Sequence, residues 1–470
     1  MFLCLLQYLV YLCQKVKLTC TLKFKLSGFV NLNSSADLTW KRTHYSKTID
    51  TSMNGKEVLI VGWISSIREH SNIKFITIND RFGKIQVILK KNEYPTSLTS
   101  EIPKIREHAS IAIKGKVRGE PKAPNGIEII PIDFKILSLA NKNSPIVIQS
   151  RKGVGIDTRL DLRAIDLRRP YLQSIFSIRY TVLNSCREFL RNEGFIEVNT
   201  PKIIATATEG GATLFPIFYY DREAFLTQSP QLYKEQLTMA FENVFEIGPI
   251  FRAEPSRTNR HLSEATSIDI EKAYADYNDI MEILERMIHF LWDQVKDKNK
   301  SHLEYLKIEL PQLSFPFQRY RYSDLIEKLQ NAGQSIEWGD DISQQKLRNL
   351  EDNDVKNFYF IVDWPTSIKP FYVKPKSTGT ECESFDLMYR NLELSSGSTR
   401  IQNKHELIER MKKQGLNTEA FDFHLKVFDY GMPPHAGFGL GLERLMMSMC
   451  NVDNIRDVVL FPRDIDRLSP

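Results

Sequence analysis

Phe251-Arg-Ala-Glu254, a polar loop, then Arg260-His-Leu262, and later Gly437-Phe-Gly-Leu-Gly-Leu-Glu-Arg444 are the stretches on which the reading of this chain turns. Arg252 and Arg260 flank a loop of seven residues and read as the two ends of a β-hairpin. Guanidinium matches phosphate oxygens bidentately, so two of them can grip a bent polyphosphate from two sides. Glu254, two residues from Arg252, falls on the same strand face. A carboxylate there can accept from an exocyclic amine such as that of adenine. Taken alone, Arg-x-Glu fits a salt-bridged surface hairpin equally well. The later stretch weighs against that. Gly437, Gly439 and Gly441 alternate ahead of a helix-like run from Leu442 to Met449. Glycines let a nucleotide approach the backbone closely, and Arg444 sits in the first turn, aimed at the same place.

The surroundings suggest where these stretches sit. Ile175, Ile178, Val182, Phe189 and Leu190 recur at spacings of three and four, predicting an amphipathic helix to about Asn192. After Gly194 the pattern turns to strand, Phe195-Ile-Glu-Val198, and stops at Pro201. Beyond it, strands and helices do not alternate cleanly, which predicts an α+β domain on an antiparallel sheet. From Leu38 to Leu139 the period is two, with strands expected at 58–64, 73–78, 85–89, 111–117 and 127–137. Five short strands suggest a small β-barrel of oligonucleotide-binding type, although other five-stranded barrels or sandwiches share the period. Residues 141–166 read as a hinge and 167–470 as the second domain, after a barrel at 39–140. Residues 1–38 differ from the rest, Met1 to Cys13 being almost wholly apolar. They are expected to be an extension outside the folded domains. A secretory signal or an interfacial anchor is the alternative, but no basic segment precedes the apolar stretch.

Composition narrows the class. The chain has 470 residues, 42% hydrophobic and 26% charged, as in ordinary globular proteins. Lys plus Arg is 63 against 58 for Asp plus Glu, a net charge of +5. A nucleic-acid contact must therefore be a local patch. Six cysteines without a Cys-x-x-Cys spacing argue against a disulfide scaffold or a structural zinc, and for reduced thiols in a cytoplasmic protein. No run of about 18 apolar residues occurs, so no membrane span is expected.

With these residues in view, the chain resembles the class II aminoacyl-tRNA synthetases of the aspartate–asparagine–lysine subgroup. Phe251–Glu254 resembles their motif 2, Gly437–Arg444 their motif 3, and the helix and strand around Gly194 their dimer-forming motif 1. The likeness is nearest to archaeal-type aspartyl-tRNA synthetases and runs from about residue 39 through Phe461-Pro-Arg-Asp464 to Pro470. It implies that L-aspartate attacks the α-phosphate of ATP to give aspartyl-adenylate, which then acylates tRNA. By resemblance, Arg252, Ala253, Glu254, Arg260, His261, Leu262, Glu393, Gly441, Leu442, Glu443 and Arg444 contact ATP, with Arg252 and Arg444 catalytic. Glu209, Gln231, Leu232, Tyr233, Lys234, Arg252, Ser396 and Arg400 contact aspartate. Glu393 and Ser396 hold Mg²⁺, a hard cation suited to phosphates and a carboxylate.

Aspartate and asparagine are nearly isosteric, so charge must separate them, and two cations, Lys234 and Arg400, suit a carboxylate. Ser384-Phe-Asp-Leu-Met388 and Leu394-Ser-Ser-Gly397 resemble the aspartyl form, whereas Thr399 departs from its usual Gln. In the barrel, Arg68, Phe75 and Gln86 match the family's anticodon-contacting pattern, Phe75 as a stacking platform. Read alone, Phe75 is as well explained as a core residue. Ser65 and Pro124 stand where enzymes restricted to tRNA(Asp) carry Trp and Lys. The resemblance thus implies a relaxed enzyme that also charges tRNA(Asn) for an amidotransferase; a strict enzyme is the alternative. An asparaginyl synthetase, an asparagine-synthetase-like paralogue without tRNA work and an inactive RNA-binding protein are the rivals. The role of residues 301–380 is not legible in the sequence.

Overall fold

A computed structural model describes residues 40–90, 105–150, 154–206, 213–348 and 357–470. It divides into two compact units, with the boundary between Ser144 and Pro145. Among the described residues no helix is long and apolar enough to cross a membrane. The expected extension, residues 1–38, lies outside the described residues.

The first unit is a closed barrel in the order β1-β2-β3-β5-β4. Its strands are β1 (Glu57–His70), β2 (Ile73–Asn79), β3 (Lys84–Lys90), β4 (Ser110–Gly119) and β5 (Ile127–Ser138). Alternate residues fill the interior, among them Ile60, Ile64, Ile76, Ile78, Ile85, Val87, Ile113 and Ile129. One long strand serves two neighbours. The first half of β1 pairs with β4 and the second with β2, changing over at Trp63. At the changeover, a Cβ on Gly62 would lie 2.4 Å from the Asn79 carbonyl oxygen, so only glycine fits.

The second unit is built on an eight-stranded, mostly antiparallel sheet in the order β12-β13-β14-β15-β16-β11-β10-β6. From the far edge inward these are β12 (Gln318–Arg321), β13 (Phe358–Val362), β14 (Ser384–Tyr389), β15 (Leu392–Thr399) and β16 (His435–Gly441). Then come β11 (Glu264–Ala273), β10 (Asn243–Phe251) and β6 (Ile196–Glu197). A separate small sheet has the order β7 (Ile203–Ile204), β9 (Arg222–Leu226), β8 (Pro216–Tyr219). The segment around 301–380, unread in the sequence, supplies β12 and β13 and much of a second apolar core around Tyr322, Tyr359 and Trp364.

Two helices cover one face of the large sheet. Pro170–Asn192 starts with proline in its first turn, and Tyr277–Lys298 starts with a capping box between Asp276 and Asp279. Their apolar stripes meet Ile268, Ile270, Phe438 and Leu440 in the main core. The opposite face of those strands is left for polar side chains.

The stretch expected as a hinge contains two short helices, Ile156–Asp161 and Arg163–Asp166. Arg163 is fully buried there. It donates to the carbonyl oxygens of Arg456, Val459 and Leu460 and pairs with Asp166 at 2.9 Å. One guanidinium thus anchors the C-terminal segment. Removing it leaves three carbonyls without their donor, while Asp166 keeps Arg159 and Arg169, so R163A should cost about 3 kcal/mol of stability, read from urea denaturation.

Candidate active site

The site grows out of the period of β11. In Ser267-Ile-Asp-Ile-Glu271 the isoleucines enter the core, and Ser267, Asp269 and Glu271 face the other way. Each lies across from a glycine of β16: Ser267 opposite Gly441, Asp269 opposite Gly439, Glu271 opposite Gly437. The glycines make room for the acids. A Cβ on Gly437 would come 2.3 Å from Glu271 Oε2 and 2.2 Å from the Ile270 carbonyl oxygen, and one on Gly439 3.1 Å from Asp269 Oδ1. The sequence expectation that these glycines serve nucleotide approach therefore needs correcting at Gly437, where the neighbour is a carboxylate of the same sheet. At Gly441 a Cβ would meet nothing closer than 3.7 Å.

The carboxylates hold the two predicted cations. Lys234 Nζ lies 3.0 Å from Asp269 and 3.4 Å from Glu271, and donates to the Phe438 carbonyl oxygen. Arg400 donates to Glu271 through Nε at 2.9 Å and Nη2 at 3.3 Å, and to Ser398 through Nη1 at 2.6 Å. All four charged groups are buried. They form two cations balanced by two anions, so both predicted cations already have acidic partners in the protein. Arg400 still has two of its five N–H donors beyond these bonds, whereas the Lys234 ammonium is surrounded. Asp269 and Glu271 are not among the expected site residues; the apolar–acidic alternation of Ser267-Ile-Asp-Ile-Glu271 is the signal that finds them. Thr399, the departure from the usual Gln, is turned aside and accepts from the Tyr277 N–H.

Around this quartet lies a cavity of about 240 Å³, lined among others by Gln231, Arg252, Arg260, Glu393, Ser396 and Arg444. Of the run 231–234, only Gln231 and Lys234 reach it. Leu232 is wholly buried in the second core, and the Tyr233 ring packs against Phe423. The expected hairpin ends early: β10 stops at Phe251 and β11 starts at Glu264. Arg252, Ala253, Glu254, Arg260, His261 and Leu262 thus belong to the connecting loop. Glu254 does not share a strand face with Arg252, and His261 and Leu262 are not on a strand. The Arg252 N–H donates to the Ser263 carbonyl oxygen and the Ala253 N–H to that of Thr213, which fixes the loop's base. Burial lowers the His261 pKa, and the nearby Arg444 and Arg252 push it the same way. Leu262 packs into the main core.

At the start of the helix Leu442–Cys450, Arg444 Nη1 donates to the Glu393 carbonyl oxygen at 3.0 Å and lies 3.5 Å from the Glu393 carboxylate. The neighbouring positions do other work. Leu442 is buried in the core. Glu443 accepts from Arg179 at 2.8 Å and from the Thr266 N–H at 2.9 Å. Its carboxylate ties three elements together, and Glu443 also lines the cavity. Ser396 lies on β15 opposite Asp386, a buried carboxylate paired with Lys369 at 2.9 Å. Burial raises the Asp386 pKa, Lys369 opposes, and Glu393 adds to the rise. Glu209 lies outside the described residues.

The barrel brings its own candidates onto one outer face. Phe75 points away from the interior filled by Ile76 and Ile78, and pairs across the sheet with Arg68 and Ile88. Two residues on, Thr77 pairs with Gln86, and Gln86 with Glu128. Gln86 is buried rather than free: its amide donates to Glu128 at 3.2 Å, and Glu128 also accepts from Arg118. Ser65 is buried at a bulge of β1 and donates to Asn79 at 2.8 Å. Pro124 opens the short turn Pro124–Gly126 before β5.

Comparison with known proteins agrees with both units. Residues 155–465 match the family of tRNA synthetases class II (D, K and N), and residues 58–137 the OB-fold nucleic acid binding domain. An aspartate–tRNA(Asp/Asn) ligase of Methanocaldococcus jannaschii is 47% identical over 92% of this chain and 99% of its own length. An aspartate–tRNA(Asp) ligase of Pyrococcus abyssi is 45% identical over 91% of this chain and 100% of its own. Among solved structures, the asparaginyl-tRNA synthetase of Pyrococcus horikoshii with asparaginyl-adenylate superposes with a TM-score of 0.86. It shares 30% identity and covers 92% of this chain and 100% of that one. A barrel of oligonucleotide-binding type and an antiparallel α+β unit are what that family carries, and the chain belongs to the class II tRNA synthetases of the D, K and N group.

Proposed function

We propose that the chain is a cytoplasmic, homodimeric enzyme that attaches L-aspartate to tRNA(Asp) and also to tRNA(Asn). The observation that carries the choice of aspartate is the identity of 43–47% to relatives named aspartate–tRNA ligases, against 30% to the asparaginyl enzyme. The spare donors of Arg400, facing a cavity floored by a balanced quartet of charges, support the same choice. A second carboxylate on the substrate would find N–H donors there.

The class uses ATP. In this reading the α-carboxylate of aspartate attacks the α-phosphorus, the bond to the pyrophosphate oxygen breaks, and aspartyl-adenylate forms. The attacking carboxylate is already ionised, so no general base is needed. Arg252 holds the α-phosphate and the substrate carboxylate, and Arg260 and Arg444 take the outer phosphates. Glu254 reads adenine. Catalysis is positioning plus charge stabilisation. Glu209 and Gln231 take the substrate's amino end. Glu393 and Ser396, one carboxylate and one hydroxyl, form a sparse oxygen donor set. That fits Mg²⁺, which keeps waters and phosphates as its other ligands; when bound, it supplies positive charge across the phosphates. Opening towards the cation requires Glu393 to loosen from Arg444, which the phosphates would draw away.

On the barrel, Phe75 stacks a splayed base, Arg68 reaches base or phosphate, and the Gln86 carbonyl oxygen remains for a base edge. Ser65 and Pro124 support relaxed tRNA choice, which requires a partner amidotransferase to convert Asp-tRNA(Asn). The helix Pro170–Asn192 and β6 are the dimer-forming elements by resemblance.

Three outcomes test the reading. R252A should lower aspartate-dependent ATP–pyrophosphate exchange by about a hundredfold to a thousandfold; near-normal exchange, or exchange driven by asparagine, refutes it. F75A should weaken tRNA binding by about 1–3 kcal/mol at fixed salt while leaving exchange intact. Labelled aspartate should charge tRNA(Asp) and tRNA(Asn) transcripts at comparable rates; charging of tRNA(Asp) alone makes the enzyme strict.

A further inference from the structure

Behind the amino-acid end of the cavity lies a buried carboxylate that the reaction above leaves unused. Glu235 follows Lys234 on the helix Gln231–Phe241 and is 0% exposed. Its Oε1 accepts from Gln231 Nε2 at 2.6 Å. Its Oε2 faces His424 Nε2 at 3.3 Å and His435 Nε2 at 3.6 Å, distances of charge pairing rather than of short hydrogen bonds. His435 Nδ1 lies 2.8 Å from the Pro433 carbonyl oxygen, which can only accept, so that nitrogen carries a proton. Burial opposes charge on Glu235, yet the two imidazoles hold its pKa well below the usual carboxylate range. Burial likewise opposes charge on His435, and Glu235 and Glu271 outweigh it to raise the imidazole. Glu235 is therefore an anion, able only to accept.

That fixes Gln231. One amide proton meets Glu235, and the same nitrogen lies 3.4 Å from Glu271 Oε2. With the amide flipped, its carbonyl oxygen would face two buried carboxylates, an arrangement with no donor between them. The nitrogen is thus committed to the acids, and the carbonyl oxygen is the group left for the cavity that Gln231 lines.

We propose that Glu235 is a positioning residue: it locks the Gln231 amide with its oxygen presented to the substrate's α-ammonium, and so selects an amino acid over a dicarboxylate that lacks one. This rests on the reading of Gln231 as a contact of the substrate's amino end. His424 and His435 act one step further back, keeping Glu235 charged inside the protein.

The test compares L-aspartate with succinate, which keeps both carboxylates and has no ammonium. Binding of each to the full chain is measured by titration calorimetry, with thermal melts alongside. E235M should weaken aspartate about tenfold or more, the effect of one charge-assisted hydrogen bond, and succinate less than about twofold. General loosening of the site would weaken both alike, and that result, or no change in either, overturns the proposal. E235Q preserves size and packing but replaces an obligatory acceptor with a group of either polarity. It should lose a smaller part of the same aspartate-to-succinate ratio, and remains informative should E235M fail to fold; a wild-type ratio in E235Q with E235M unfolded also overturns it. Q231A separates the two levels. If Q231A leaves the ratio unchanged, the reading of Gln231 has failed; if Q231A collapses the ratio while E235M does not, only the role of Glu235 has failed.

Discussion

The catalytic unit is arranged around two buried carboxylates, Asp269 and Glu271, each paired with a buried cation. A buried, unpaired carboxylate costs several kcal/mol, and a paired one is tolerated only where its partners fit closely. Lys234 and Arg400 are those partners, and the alternate glycines of β16 create the space in which the pairing occurs. The strand order follows from the same need. β16 must lie beside β11 for glycine to oppose acid, and β15 beside β16 for Arg400 to reach Glu271. The helices Pro170–Asn192 and Tyr277–Lys298 are confined to the far face, where the same two strands present isoleucine, phenylalanine and leucine.

The second constraint is rigidity at the rim. Glu443, three elements at once through Arg179, Thr266 and its own helix, fixes the turn from which Arg444 projects. Arg444 itself is held only loosely, by a carbonyl and a half-exposed carboxylate of Glu393. In the proposed reading the amino-acid end is where charges are buried and balanced, and the phosphate end is where arginines lie on a loop or near solvent. That division suits a site in which the small substrate must be discriminated and the large one must enter and leave as pyrophosphate and AMP.

Much of this was legible beforehand, and the failures share a cause. Period-two alternation located four barrel strands to within two residues, because an interior filled from every strand leaves little freedom in the pattern; it stopped β1 at residue 64, whereas the strand continues past its bulge to His70. The same rule made Phe75 ambiguous, since an aromatic on either face of a barrel strand has the same period; it is the filling of the interior by Ile76 and Ile78 that puts it outside. Arg252 and Arg260 were expected at the two ends of the hairpin strands, yet the backbone leaves the sheet at Phe251 and returns only at Glu264, because loop bounds are the part of a hairpin that residue type fixes least. Leu442 and Leu232 carry motif positions whose side chains serve packing, and Glu443 one whose carboxylate ties neighbouring elements together. A motif records that a residue is needed, not which way it faces. Glu235 and His424 gave no signal at all, because their partners are distant in sequence and meet only through the fold.

The alternation in β11 also limits how this enzyme can change over evolutionary time. Each position of Ser267–Glu271 is committed either to the helices or to the polar face that carries the charge quartet and the cavity. Insertion or deletion of one residue in that strand would exchange the two sets, sending carboxylates among the helices and isoleucines into the substrate's place. Point substitutions can reshape specificity gradually, one side chain at a time. A frame slip offers no intermediate that both folds and reacts, so the length of this strand is expected to be among the last features a lineage alters.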